Sequence, residues 1–269
     1  MRMNDRPEKW AQARKRVRLI AALARNDFRS KYATSQLGIF WAFFRPVIQA
    51  CVYILVFSLL TRSAPAGEGV PYALWLLPGL IVWFVFSEGL STGVGVLTEY
   101  SYLVKNIRFD VSLLPVVKVV SAFFIHTFFL ALVFLLALVF GLPVTASLLQ
   151  LPYYYLGAFC LTVAAARLVC TVQPFFRDMT LAVEILLMVG VWACPIMWNL
   201  TMIPEKYGWI FRLNPLYHLV QGYRDCFLNT GWFWQKPGEM ALFWAVTALL
   251  ALGGRRLFRR VSPHFADVM

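Results

Sequence analysis

Six runs of mostly apolar residues, most of them about twenty long, alternate with polar or turn-forming segments along this chain. That repeat constrains the fold more than any other feature. A bilayer core about 30 Å thick takes roughly 20 helical residues to cross, and a helix satisfies its own backbone hydrogen bonds where no water can. The runs are Leu37 to Leu60, Tyr72 to Val96, Val116 to Phe140, Tyr153 to Val172, Leu181 to Leu200 and Met240 to Gly254. The last is short unless Trp232 to Trp234 or Leu257 and Phe258 extend it. With 60% hydrophobic and only 14% charged residues, a water-soluble domain is excluded. The expected fold is an all-α, polytopic membrane protein with six transmembrane helices.

The charges that remain are mostly basic, with a formal net charge of +12. Lysine and arginine accumulate on the cytoplasmic side of membrane proteins. With both termini inside, 17 of them fall on the cytoplasmic side and five outside, while Arg45, Lys118 and Arg167 lie within spans. The pattern therefore predicts N-in, C-in. The basic N-terminus has no early apolar core followed by a small-residue cleavage site, so no signal peptide is expected. The five cysteines show neither a disulfide framework nor a metal-ligand spacing.

Residues 10–36 are helical in pattern but too charged to span. At about 100° per residue, Arg14, Arg18, Arg25 and Arg29 fall within an arc of roughly 60°, with Val17, Leu19, Ile20, Leu23 and Ala24 largely opposite. This reads as a helix lying in the cytoplasmic interface, or as an ordinary positive flank. Arg16, Asp27 and Lys31 blur its apolar face. Between the second and third spans, Glu99-Tyr100-Ser101-Tyr102-Leu103-Val104-Lys105 is long enough for about two helical turns, and reads equally as a docking helix or a solvated loop. Residues 201–238 lie outside yet are rich in aromatics. Pro204 and Pro215 divide them into helices at about Glu205 to Arg212 and Leu216 to Leu228, the second capped by Asn214. They are expected to dip into the outer interface.

No G-x-x-x-x-G-K-S/T phosphate loop is present, nor a G-x-S-x-G elbow, an H-E-x-x-H helix or a Cys/His cluster. The chain is not expected to be an enzyme or to bind a cofactor or metal, and energy would arrive through a partner. Ionisable residues inside spans are functional candidates by default. Arg167 and Glu184 lie at similar depth on neighbouring spans and are expected to pair. Glu88 is deeper, either facing a cavity or hydrogen-bonded to a Thr or Ser. His126 is expected to be packed and neutral. The aromatics Phe40, Trp41, Phe44, Trp83, Phe84, Trp192 and Trp198 could line a path, with Glu88, in which sugar faces stack on rings; each could equally be a packing residue.

With these residues laid out, the chain resembles the membrane subunits of ABC-2-type polysaccharide exporters, and the teichoic-acid translocation permeases most. The resemblance rests on Lys31-Tyr32, Leu37-Gly38-Ile39-Phe40-Trp41, Pro46, Gly69-Val70-Pro71, Leu151-Pro152-Tyr153-Tyr154 and Phe176-Arg177-Asp178. Farther along it rests on Leu213-Asn214-Pro215-Leu216-Tyr217, Gln221-Gly222-Tyr223-Arg224-Asp225 and Trp232-Phe233-Trp234. It implies a single membrane domain over residues 1–269: interface helix 10–36, spans one to five within 37–200, external gate helices within 201–238, the sixth span within 239–258 and a cytoplasmic tail over 259–269. It also implies a second copy of the chain, two copies of a cytoplasmic ATP-binding subunit carrying ATP and Mg, and a polyprenyl-diphosphate-linked polysaccharide as cargo, in a cell membrane, with no nucleic acid. Wall teichoic acid comes first as that cargo, with O-antigen or capsule as the alternative. By the same resemblance, Glu99, Tyr100, Tyr102, Lys105, Arg177 and Asp178 would couple to the ATPase. Tyr207, Trp209, Asn214, Pro215, Tyr217 and His218 would form the gate. An ABC-2 pump for a drug or small lipid, and a membrane transferase acting on polyprenyl-linked sugars, are the competing readings.

Overall fold

The computed structural model describes residues 5–33, 35–61, 70–105 and 109–265. The expected external turn around Gly69, residues 106–108 of the second-to-third loop and the last four residues of the tail lie outside the described residues. The described residues contain helices and no strands. The main helices are α1 (Asp5–Tyr32), α2 (Phe40–Thr61), α3 (Tyr72–Val94), α4 (Leu114–Val139), α5 (Leu151–Val172), α6 (Met179–Ala193), α7 (Glu205–Arg212), α8 (Pro215–Leu228) and α9 (Pro237–Val261). Proline opens α4, α5, α8 and α9 within the first turn, where its missing N–H costs nothing and its fixed φ suits the helix.

Among the described residues, five helical stretches are long and apolar enough to cross a membrane: Phe40–Leu59, Tyr72–Val94, Val111–Val139, Ala146–Val172 and Pro237–His264. The fifth expected span, Leu181 to Leu200, is cut short. Helix α6 has 15 residues, which is about 22 Å. It stops because Cys194 precedes Pro195, whose ring disfavours helical geometry in the residue before it; Cys194 is extended, at φ −101° and ψ 130°. The last span is longer than its apolar run because α9 carries Arg255, Arg256, Arg259 and Arg260 on its final turns.

Helix α3 forms the axis of the bundle: 72% of its span is buried, against 11% for α2, which packs on α3 and, through Phe43 on Phe128, on α4. Its approach to α5 depends on small residues. Gly89 and Gly93 sit one turn apart and face Thr162 and Ala166, and a Cβ on Gly93 would lie 2.9 Å from that of Ala166. Small residues four apart let membrane helices close on one another where no hydrophobic effect drives them together.

The expectation of two short helices after Thr201 held in their bounds and in the Asn214 cap, whose Oδ1 accepts from the Leu216 N–H at 3.0 Å. Their placement is a correction. Only α7 is exposed; α8 is wedged into the bundle against α3, α5 and α9, with ten of its 14 residues buried. Gly222 makes this possible, since a Cβ there would fall inside the Tyr154 ring. Gly222→Ala is expected to destabilise the protein by about 1–3 kcal/mol, read as thermal stability in detergent, with Tyr154→Leu in the same chain restoring part of the loss.

At the end where α3 and α5 finish and α4 begins, a second small core forms from Val96, Leu97, Leu114, Cys170, Phe258 and Phe265. The segment expected as a tail therefore folds back over 262–265, and Phe265 packs against Phe258 and Phe175, with ring centroids 5.4 and 6.0 Å away. This is the end at which the basic residues collect, and it is called the basic end below; the opposite one, carrying α7 and Trp232 to Trp234, is the aromatic end.

Candidate functional site

A cavity of about 670 Å³ opens between α1, α2, α3 and α4, with Leu187 of α6 on its wall. Its lining follows from the sequence of α2, where Trp41, Phe44, Arg45, Ile48 and Gln49 recur at helical spacing on one face. Opposite stand Ile81, Phe84, Val85, Glu88 and Ser91 of α3, and Ala122, His126 and Phe129 of α4. Lys31 and Tyr32, at the end of α1, complete the mouth. The charged lining comprises two cations, Lys31 and Arg45, and one carboxylate, Glu88. Glu88, with no obvious partner in the sequence, faces the cavity and is ion-paired with Lys31. One elementary positive charge is left over, set among aromatic rings.

The candidate path aromatics divide three ways. Trp41, Phe44 and Phe84 line the cavity, and Phe40 stacks on Phe44 at its rim, with centroids 4.8 Å apart. Trp83, one residue from Phe84, points the other way and packs on Gly190 of α6. Trp192 and Trp198 lie at the aromatic end, where the Trp198 Nε1–H donates to the Trp192 carbonyl at 3.1 Å and its ring meets Phe211 edge-on at 5.0 Å. One surface does not join all seven. Their helix phase alone separates Trp83 from Phe84.

His126 is packed, as expected. Its Nε2 lies 2.8 Å from the Tyr223 hydroxyl and its Nδ1 3.3 Å from the Ile81 carbonyl. The Ile81 carbonyl can only accept, so Nδ1 carries the proton and Nε2 accepts from Tyr223. The cavity wall is thereby bonded to α8.

The expected Arg167–Glu184 pair does not form. Arg167 donates to the Ser112 carbonyl at 3.3 Å, while Glu184 is exposed on α6, because α5 and α6 make little contact with each other. Stability losses from Arg167→Ala and Glu184→Ala are therefore expected to add within about 0.5 kcal/mol in a double-mutant cycle.

The segment after α3 forms two single turns, Val96–Glu99 and Ser101–Val104, separated at Tyr100. Tyr102 and Lys105 project outward, and Tyr102 is 66% exposed. Glu99 and Tyr100 are tied to the bundle instead: Glu99, although exposed, pairs with Lys118 at 2.8 Å, and the Tyr100 hydroxyl donates to Asp27 Oδ1 at 3.0 Å. Burial, and after it the Asp27 carboxylate, push the Tyr100 phenol well above its usual range, so it remains a donor. Arg177 and Asp178 are exposed on the turn between α5 and α6, beside exposed Phe175 and Phe176. A hydrogen bond from Thr98 Oγ1 to Gln173 Oε1, 2.8 Å long, ties that turn to the end of α3. Of the six candidate coupling residues, four therefore share an outward face at the basic end.

Among the candidate gate residues, Tyr207 and Trp209 on α7 are 47% and 61% exposed. His218 is buried between Tyr153, Tyr154 and Phe243. Pro215 starts α8, and Tyr217 is half-buried on it.

Sequence reasoning named Arg224 only as part of a motif of the resemblance and gave it no role. It is 2% exposed and donates to three main-chain carbonyls, those of Trp75 at 3.1 Å, Pro195 at 2.9 Å and Ile196 at 2.5 Å. Its guanidinium carbon lies 3.6 Å from the centre of a Trp75 ring. Next to it, buried Asp225 accepts from Lys236, Gln221 and Thr230. Arg45 was seen as a charge within a span, and that was the available signal for the cavity.

Comparison with known proteins fits this architecture. Residues 18–228 match the family model described as ABC-2 type transporter. The chain is 25% identical over 254 residues to an O-antigen export system permease protein of Klebsiella pneumoniae, covering 93% of this chain and 95% of that protein. It is 25% identical over 252 residues to a protein of the same description from Myxococcus xanthus, covering 93% and 94%. A polysialic acid transport protein of Escherichia coli is 25% identical over 243 residues, covering 87% of this chain and 90% of that one. A helical bundle with several membrane-crossing helices, matched to that family over most of its length, is a multi-pass cell-membrane protein, and the chain belongs to the ABC-2 type transporter family.

Proposed function

We propose that this chain is the permease of an exporter that moves a lipid-linked polysaccharide across the cell membrane, with ATP and Mg bound by a separate cytoplasmic subunit. The observation that carries the reading is the cavity: cations and aromatic rings meet at one place beside a helix, α2, whose outer face is apolar and exposed. A polyprenyl chain can stay in the bilayer along α2 while its diphosphate meets Lys31 and Arg45 and the first sugars stack on Trp41, Phe44 and Phe84. The excess of basic residues supports a cytoplasmic position for the basic end. The outward face formed by Tyr102, Lys105, Arg177 and Asp178 then meets the ATP-binding subunit.

The relatives carry O-antigen and polysialic acid in their descriptions, which favours an O-antigen or capsule-type polymer. The motif resemblance keeps wall teichoic acid as the second reading. The test is to supply the chain and its cognate ATP-binding subunit to cells that assemble the lipid-linked polymer but lack their own exporter. Polymer at the surface that requires both subunits is the expected result, and running the test with an O-antigen and a teichoic-acid precursor ranks the two cargoes. Polymer retained inside cells that contain the assembled complex would overturn the reading.

If two copies of the chain meet at the aromatic end, α7 is the segment placed to close the exit. With the exposed Cys51 replaced, a cysteine at Tyr207 or Trp209 is expected to cross-link between copies and to stop export while the complex stays assembled. Cross-linked complexes that export at the normal rate would move the gate elsewhere.

A further inference from the structure

Three elements with separate parts in the proposed cycle are joined at the basic end by one side chain, Lys118 of α4. Its ammonium group lies 2.6 Å from Asp27 Oδ1 on α1 and 2.8 Å from the Glu99 carboxylate in the docking segment. It also stands 5.3 Å from the centre of the Tyr100 ring, whose hydroxyl donates to the same Asp27 oxygen. One turn after Asp27, on the same continuous helix, Lys31 pairs with Glu88 at the cavity mouth. Residues four apart on a helix share a face. The two ion pairs border a single polar crevice of about 10 Å³, which Thr92 and Ser121 also line, at the lower limit for one water molecule.

The two arms of Lys118 differ in strength. Lys118 and Asp27 side chains are 8% and 5% exposed, whereas that of Glu99 is 53% exposed. Separating the inner pair would strand a buried charge, so α1 and α4 move as one body at the basic end. The outer pair is solvent-screened and weak by itself, and the Tyr100 hydroxyl reinforces it. The docking segment is thus fastened to the α1–α4 body at a defined point, from which α1 leads directly to the cavity mouth.

We propose that Lys118 is a positioning residue that transmits movement of the docking segment through Asp27 and α1 to the Lys31–Glu88 pair, so that ATP hydrolysis on the partner opens and closes the cavity. This rests on the docking and cavity assignments made above. A purely structural buried pair would instead matter for assembly alone. Lys118→Met by itself orphans Asp27 and is expected to accumulate poorly. The double variant Asp27→Asn Lys118→Met removes both buried charges and keeps the side-chain volumes, leaving Glu99 free in solvent.

The experiment uses the complete complex with its ATP-binding subunit in vesicles loaded with lipid-linked polymer, and reads ATP hydrolysed and polymer exported in the same sample. The double variant is expected to assemble normally and to export at least tenfold less polymer per ATP, while Lys118→Arg stays within threefold of the unmodified complex. Unchanged export per ATP, or assembly, hydrolysis and export falling together, would overturn the proposal. A cysteine at Tyr102 tested for cross-linking to the ATP-binding subunit separates the two levels of inference. If it fails to cross-link in the otherwise unmodified complex, the docking assignment fails and the coupling route with it. If it cross-links while the double variant exports normally, only the coupling route is overturned.

Discussion

Arg224→Ala is expected to destabilise this protein more than any other single truncation. The guanidinium supplies donors to three carbonyls on two separate elements: Trp75 in the first turn of α3, and Pro195 and Ile196 in the turn after α6. Pro195 and Ile196 lie where α6 has ended, so their carbonyls have no helix to serve them. Leaving a buried acceptor unsatisfied costs about 1–3 kcal/mol, so orphaning the Pro195 and Ile196 carbonyls together brings the loss to several kcal/mol. Arg224→Lys keeps the charge and three donors but loses the planar fork and the stacking on Trp75, so it is expected to fall between the two. Melting of detergent-solubilised protein, followed by size-exclusion chromatography, reads both. An alanine variant as stable as the unmodified protein would show that α8 is held by packing alone.

The second large effect concerns export. Arg45→Glu changes the cavity lining from two cations and one carboxylate to one cation and two carboxylates, turning an attractive site for an anionic linkage into a repulsive one. A hydrogen bond to a charged group contributes about 1.5–3 kcal/mol, so loss of that contact alone is expected to lower export roughly ten- to a hundredfold, with repulsion adding to the loss. Arg45→Lys should keep a measurable part of the activity, because a point charge still attracts phosphate without the bidentate fork. Polymer export by the assembled complex is the measurement. Normal export by Arg45→Glu would remove this cavity from the path.

The membrane-crossing helices were legible because a lipid-facing helix must be apolar on every exposed side, which writes its length directly into the sequence. The α6 boundary failed because hydropathy does not register backbone geometry: Cys194 to Leu200 is as apolar as a helix, but Pro195 prevents it from being one. The Asn214 cap and the bounds of α7 and α8 were readable for the converse reason, since caps and prolines act within a few residues of where they stand. The placement of α8 was not readable. Its aromatic and apolar residues suit a membrane interface and a bundle interior equally well.

The charged residues show most clearly where the two kinds of information part. Arg16, Asp27 and Lys31 seemed to spoil the apolar face of α1, yet each is an ion-pair partner: of Asp110 at 3.4 Å, of Lys118 at 2.6 Å, and of Glu88. The sequence by itself determined that α1 is a helix too polar to span, that the chain crosses the membrane repeatedly and that its basic residues collect on one side, because periodicity, apolar length and charge bias are properties of contiguous residues. Only the tertiary structure decided which charges meet, that Trp83 and Phe84 face opposite ways, and that Arg167 and Glu184 remain apart. A pairing between residues 57 or 91 positions apart depends on how helices pack and rotate against one another, and no local pattern records that rotation.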